Sequence, residues 1–210
     1  MLKNQDILDG LNWRYATKKF DNTKKISDNN FETLLKSLQL SASSYGLQPW
    51  KFIVVKNRDI LEKLVPVSWN QRQIIDCSHF IVFAGLKSIS REYIDRHIEN
   101  IAKVRNVDLS TLEGYKSLMN NNLVNIKDIE WSARQAYIAL GTLMMNASLL
   151  QIDSCPMEGL DTQKYDEILD IKNGDYSSLC ACALGYRSDE DDYAKNKKVR
   201  FDMKDIISYL

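Results

Sequence analysis

The chain has 210 residues, with 28 Lys and Arg against 28 Asp and Glu and a formal net charge of +0. That length suits one domain with a sizeable core, and 44% hydrophobic with 27% charged residues is ordinary for a globular protein. Balanced charge argues against nucleic acid as the main partner, because phosphate binding leaves a basic excess, and it gives no attraction to an anionic membrane surface.

The N-terminal segment, MLKNQDILDGLNWRY, has no apolar core of a secretory signal, so a cytoplasmic protein is expected. Apolar residues at Ile7, Leu8, Leu11 and Tyr15 have helical spacing and predict a helix over Asn4–Tyr15. Ser27 offers an N-cap for a second helix carrying Phe31, Leu34, Leu35 and Leu38 on one face. A polar loop, SASSYGLQP, follows, and Trp50–Val55 reads as a strand. Asp59–Val65 and Gln71–Asp76 read as short helices. His79–Leu86 is continuously apolar, as in a strand buried on both faces. Residues 89–122 are polar and charged with a helical pattern, a helical excursion or a lid on one 210-residue domain.

The longest predicted helix spans Ile126–Leu150, with Ile126, Ile129, Ala133, Ala136, Leu140, Leu143, Ala147 and Leu150 in steps of three and four. The overlapping stretch Gln135–Ile152 carries no charge, yet it holds Gln135, Asn146, Ser148 and Gln151 and reads as a buried helix, not a membrane span. Ser154–Gly159 is a short strand and turn, Asp161–Leu169 a helix, and Ser178–Tyr186 a third buried strand. Ile206, Ile207 and Leu210 form an apolar patch that needs a surface, which a partner subunit would supply. Strands separated by long helices indicate mixed α and β. No GxGxxG or Walker A sequence is present, which disfavours the doubly wound nucleotide folds.

Cys77, Cys155, Cys180 and Cys182 form no CxxC pair and read as small buried hydrophobes. Of the two histidines, His79 opens an apolar strand and is read as structural. His97 has no metal pattern near it. Neither supports a nucleophile relay, and no metal site is expected.

Four segments carry a resemblance. They are Arg14-Tyr15-Ala16-Thr17-Lys18-Lys19-Phe20, Ser41 to Trp50 (SASSYGLQPW), Cys155-Pro156-Met157-Glu158-Gly159, and Leu184-Gly185-Tyr186-Arg187 leading to Lys198-Val199-Arg200. In order and spacing together they resemble the FMN-dependent nitroreductase family. The resemblance implies an α+β fold with a central, mostly antiparallel sheet wrapped by helices. It also implies an intertwined homodimer whose C-terminal tails exchange strands. It implies FMN as cofactor, NAD(P)H as electron donor, and a small-molecule electron acceptor such as a nitroaromatic or a quinone. Hydride would pass through flavin N5 in a ping-pong cycle.

Residue by residue, Arg14, Lys198 and Arg200 match the family's phosphate cluster, with Tyr15 and Ala16 beside them in the flavin-binding segment. Arginine suits that role because its planar fork makes bidentate contacts to phosphate oxygens. Lys18 matches a lysine near the N1 and C2 oxygen edge of the ring, where a fixed cation stabilises developing negative charge. Ser43, Ser44 and Gln48 match residues lining the flavin, partly from the opposite subunit. Pro156, Met157, Glu158 and Gly159 match the segment along one ring face, with N–H groups of the last two at N5 and O4. Lys18 and Glu158 would thus tune N5, the reactive atom, with no catalytic side chain required. Asn70 matches an asparagine at the ribityl or ring edge. Gln73 stands where relatives often have a second lysine, so one positive charge near the ring is missing.

Other readings stay open. A flavin-binding storage or sensing module would bind FMN without turnover. Dehalogenating and flavin-degrading enzymes share the fold. Phe31–Leu47 also has a helix-turn-helix look, which zero net charge argues against.

Overall fold

The computed structural model describes residues 3–126 and 129–210. Helix α1 spans Asn4–Trp13 and buries only Gly10. Its apolar stripe of Ile7, Leu8 and Leu11 stays exposed. The helix ends two residues before the predicted Tyr15, because Arg14 turns extended at ψ 142° while its N–H still bonds the Gly10 carbonyl.

Helix α2 spans Asp28–Gln39. The Ser27 hydroxyl accepts from the Asn30 N–H as a cap, and Phe31, Leu34 and Leu38 are buried. The loop after it holds a single 3₁₀ turn, Ser44–Gly46, which removes the helix-turn-helix reading. Strand β1, Trp50–Val55, and strand β2, His79–Leu86, have the predicted bounds. Between them lie α3, Arg58–Leu64, capped by the Asn57 side chain, and α4, Gln73–Asp76. The latter starts late because Trp69 and Asn70 are both left-handed, at φ 54° and 56°, and Gln71 turns back to the Ser68 carbonyl.

Region 89–122 forms α5, Arg91–Arg105, and α6, Glu113–Leu123. Helix α7 spans Ile129–Leu149; Lys127 and Asp128, inside the predicted helix, lie outside the described residues. Ala136, Leu140, Leu143 and Ala147 of α7 are buried as their spacing predicts. Strand β3, Asp153–Met157, helix α8, Thr162–Ile168, and strand β4, Tyr176–Gly185, follow. A last short helix, α9, covers Met203–Ile206.

The sheet runs β1-β2-β4-β3 with every neighbouring pair antiparallel. Its fold class is therefore the α+β, mostly antiparallel one expected. Leu179 has no partner where Phe83 faces Cys180 and Ala84 faces Ser178, a bulge that bends the central pair. One sheet face packs Ile81, Phe83, Cys180 and Cys182 against α2 and α7. The other packs Phe80, Val82, Ala181 and Ala183 against Leu64, Ile74 and Tyr165 of α3, α4 and α8. The four cysteines are buried and free, and burial pushes the Cys77 and Cys180 thiols up to about 12, so they stay protonated and inert. Among the described residues, no helix is long and apolar enough to cross a membrane.

Candidate functional site

Arg14, Tyr15, Ala16, Lys18, Lys198 and Arg200 line one cavity of about 430 Å³. Two distant stretches meet there, the end of α1 and residues 193–200. A larger cavity of about 810 Å³ lies between α2 and α7, but its lining holds only one Lys and one Glu among neutral residues. The smaller one is the chemical candidate, because five cations line it, Lys197 being the fifth. Burial lowers the Arg14 pKa, and the Arg200 charge adds to that effect. Lys198 is lowered likewise by burial and then by Arg14 and Arg200. Arg14 Nε is buried and has no hydrogen-bond partner among the described residues. Mutually repelling cations around an unpartnered buried N–H make a site for an anion.

Lys198 reaches the cavity by donating its ammonium to the Leu11 and Arg14 carbonyls, the unsatisfied acceptors at the C-terminal end of α1. Lys18 is exposed and sits 5.7 Å over the Tyr193 ring.

The stretch bearing Arg14 and Lys18 is held by two buried carboxylates that sequence reading did not single out. Asp191 accepts from the Tyr15 hydroxyl at 2.8 Å and from the Lys18 and Lys19 N–H groups at 2.7 and 3.0 Å. Burial works to raise its pKa, but those N–H and hydroxyl donors outweigh it and hold the carboxyl below its ordinary value. Asp153, at the start of β3, pairs with Arg187 at 2.6 Å and also accepts the Arg187 N–H at 2.8 Å. The Arg187 guanidinium lies 4.3 Å from the Trp13 ring centroid and 4.7 Å from that of Tyr15. Arg187 thus grips the residues on either side of Arg14.

The other candidate residues stand outside that cavity, and α7 links them to it. The Ser44 N–H donates to Gln135 Oε1 of α7 at 2.8 Å. Arg14 touches Met144 Sδ of the same helix at 3.7 Å, nine residues and about 13 Å further along its axis. Between them, Tyr137 interacts with Cys180 and with the Glu158 carboxylate. Pro156 and Met157 pair with Cys182 and Ala181 at the sheet edge. Beyond them, among the described residues, the Glu158 and Gly159 N–H groups make no hydrogen bond to the chain. Gly159 lies under Trp69, whose ring carbons would stand 2.6–2.8 Å from a Cβ there, so any other residue would have to displace that exposed ring. Asn70 is exposed in the left-handed turn beside Trp69, and Gln73 is buried at the start of α4.

Comparison with known proteins fits this geometry. The sequence profile of the nitroreductase family matches residues 11–186. The chain belongs to the nitroreductase family. A provisionally named NAD(P)H nitroreductase of Staphylococcus saprophyticus is 37% identical over 217 residues, covering 98% of this chain and 97% of that protein. A provisionally named NAD(P)H:FMN oxidoreductase of Staphylococcus epidermidis superposes with a TM-score of 0.81 at 20% identity, over 100% of this chain and 98% of that one. A provisionally named nitroreductase of Exiguobacterium sibiricum in complex with FMN superposes with a TM-score of 0.77 at 22% identity, over 100% and 98% of the two chains. At such identities the structures establish a shared fold.

The nitroreductase segments found in the sequence therefore meet along one helix and one cavity. What sequence reading missed is their frame: Trp13, Asp153, Asp191 and Tyr193. Asp191 lies in a charged run, SDEDDYAKNKK, where nothing separates it from solvated neighbours. Asp153 follows the long helix as an ordinary loop acid would.

Proposed function

We propose that this chain is an FMN-dependent oxidoreductase that takes hydride from NADH or NADPH and delivers two electrons to a nitroaromatic, a quinone or a similar acceptor. The observation that carries this reading is the cation-lined cavity with Arg14 Nε buried and without a partner among the described residues. The residues present fit FMN. Arg14, Lys198 and Arg200 would hold its phosphate, and Lys18 would place a positive charge at the ring edge. The uncommitted Glu158 and Gly159 N–H groups would point donors at the reacting edge, with Pro156 and Met157 behind them. Ser43, Ser44, Gln48, Asn70 and Gln73 would line the rest, partly from a second subunit. FMN, when bound, supplies the two-electron carrier that accepts hydride at N5. The chain's own work is to bind, orient and supply fixed charge.

Val199, Phe201, Met203, Ile206 and Tyr209 are all exposed on the C-terminal tail. This apolar surface supports a homodimer in which each tail covers its partner. Light scattering at micromolar protein should give twice the 24.3 kDa chain mass; a monomer would refute the dimer.

The FMN-reconstituted protein should show flavin absorbance that bleaches when NADH or NADPH is added anaerobically. No flavin band after reconstitution sinks the FMN reading, and a band that persists with both donors favours the storage or sensing module. Donor and acceptor would use one space in turn. Steady-state double-reciprocal lines should then be parallel, and intersecting lines would exclude the ping-pong order.

A further inference from the structure

The loop before β1 is left-handed at three of four successive residues. Tyr45, Gly46 and Gln48 have φ 59°, 65° and 52°. Only Gly adopts this region freely, so Tyr45 and Gln48 persist there because the surroundings over-determine them. Those surroundings are α5 and α6. The Tyr45 carbonyl accepts from the Tyr115 hydroxyl at 3.0 Å and from His97 Nε2 at 3.2 Å. A carbonyl only accepts, so His97 carries its proton on Nε2. The Gln48 carbonyl accepts from the Tyr93 hydroxyl at 2.8 Å, and Asn122 Nδ2 donates to the Tyr45 hydroxyl at 3.3 Å. Leu47 is buried with Ile94, Ile98, Met119 and Leu123, so the small core of α5 and α6 closes on this same turn.

Within the turn, the Gln48 N–H donates to Ser43 Oγ at 2.9 Å. That leaves the Ser43 hydroxyl hydrogen free to donate elsewhere. The Gln48 side chain donates to the Gln39 carbonyl at 2.7 Å, with Oε1 still able to accept. The strained turn thus sets which polar groups Ser43 and Gln48 present.

We propose that Tyr93, His97 and Tyr115 are positioning residues: they clamp the left-handed turn so that Ser43, Ser44 and Gln48 meet the flavin in the right geometry. This assigns residues 89–122 the role of a brace. The inference rests on the FMN reading of the site.

The test uses the full-length protein, stripped of flavin and titrated with FMN. Affinity is followed by flavin fluorescence, and ring environment by visible circular dichroism of the bound flavin. Tyr115→Phe and His97→Ala should each weaken FMN binding about fivefold to tenfold, the effect of one net hydrogen bond, and alter the flavin dichroism. His97→Gln, whose amide can still donate to the Tyr45 carbonyl, should restore both. A purely packing role would not give that rescue. Tyr93→Phe keeps its ring and serves as a second variant should His97→Ala fold poorly. Wild-type affinity and dichroism in Tyr115→Phe and Tyr93→Phe, or a His97→Gln no better than His97→Ala, overturns the inference and leaves the FMN reading intact. Failure of the unsubstituted protein to bind FMN overturns both.

Discussion

Arg14→Ala should weaken FMN binding about a hundredfold. A charge-assisted hydrogen bond contributes about 1.5–3 kcal/mol, and a guanidinium offers two in parallel to a phosphate. Taking about 3 kcal/mol for the pair gives roughly two orders of magnitude in Kd. The free protein should respond differently. Arg14 is half-buried beside the charges of Arg200 and Lys198, with its buried Nε unpartnered among the described residues, so removing it relieves repulsion. The melting temperature of the flavin-free protein should therefore hold or rise, while the increase produced by FMN shrinks. A hundredfold loss in affinity removes about 2.7 kcal/mol of ligand-linked stability when FMN is in excess. Arg14→Lys keeps the charge but loses the fork and should fall between the two. Calorimetric titration of the flavin-free protein with FMN measures the affinities, and thermal melts measure the stabilities. Unchanged affinity in Arg14→Ala would show that the cavity is not the phosphate site.

Asp153→Ala should be the most destabilising single change in the frame. The Asp153 side chain is 4% exposed, that of Arg187 25%. Asp153 takes the Arg187 guanidinium, the Arg187 N–H and the Thr17 hydroxyl. Removing one member of a buried pair leaves the other charge uncompensated, at a cost of about 3–5 kcal/mol. Arg187 keeps partial solvent contact and its stacking on Trp13 and Tyr15, so the lower end applies, about 3 kcal/mol. For a chain of this size that is a melting temperature lower by roughly 6–12 °C. Asp153→Asn retains acceptors and should lose less. The damage should also reach FMN binding, because Ser154 bridges to Ala16 and the Arg14–Lys18 stretch leans on Arg187. Chemical denaturation of the flavin-free protein measures the stability term; a loss under about 1 kcal/mol would mean that the pair is screened as a surface pair is.

Much of the molecule was legible in the chain because its signals are local. Strands β1 and β2 appear with their predicted bounds, since a run of β-branched and aromatic residues between polar turns specifies a strand within a few residues. Ser27 announced α2 because a hydroxyl that satisfies an N-terminal N–H needs only its own neighbours. The family segments were readable for the same reason, each being short and contiguous. Less was legible in α1: its apolar stripe asks for cover, but periodicity does not say what covers it, and Ile7, Leu8 and Leu11 stay exposed on this chain.

The sequence by itself determined the balanced charge, the elements, the α+β class and the residues that resemble an FMN site. Only the tertiary structure decided which of them act together. Tyr15 meets Asp191 across 176 residues and Asp153 meets Arg187 across 34; no local pattern marks one aspartate among many as the buried partner. The left-handed Tyr45, Gln48, Trp69 and Asn70 leave little trace either. Glycine is the residue that signals such a backbone in advance, and here three of the four are imposed on side chains that do not favour it. The turn is held by groups from α5 and α6, and those contacts exist only once the chain has closed.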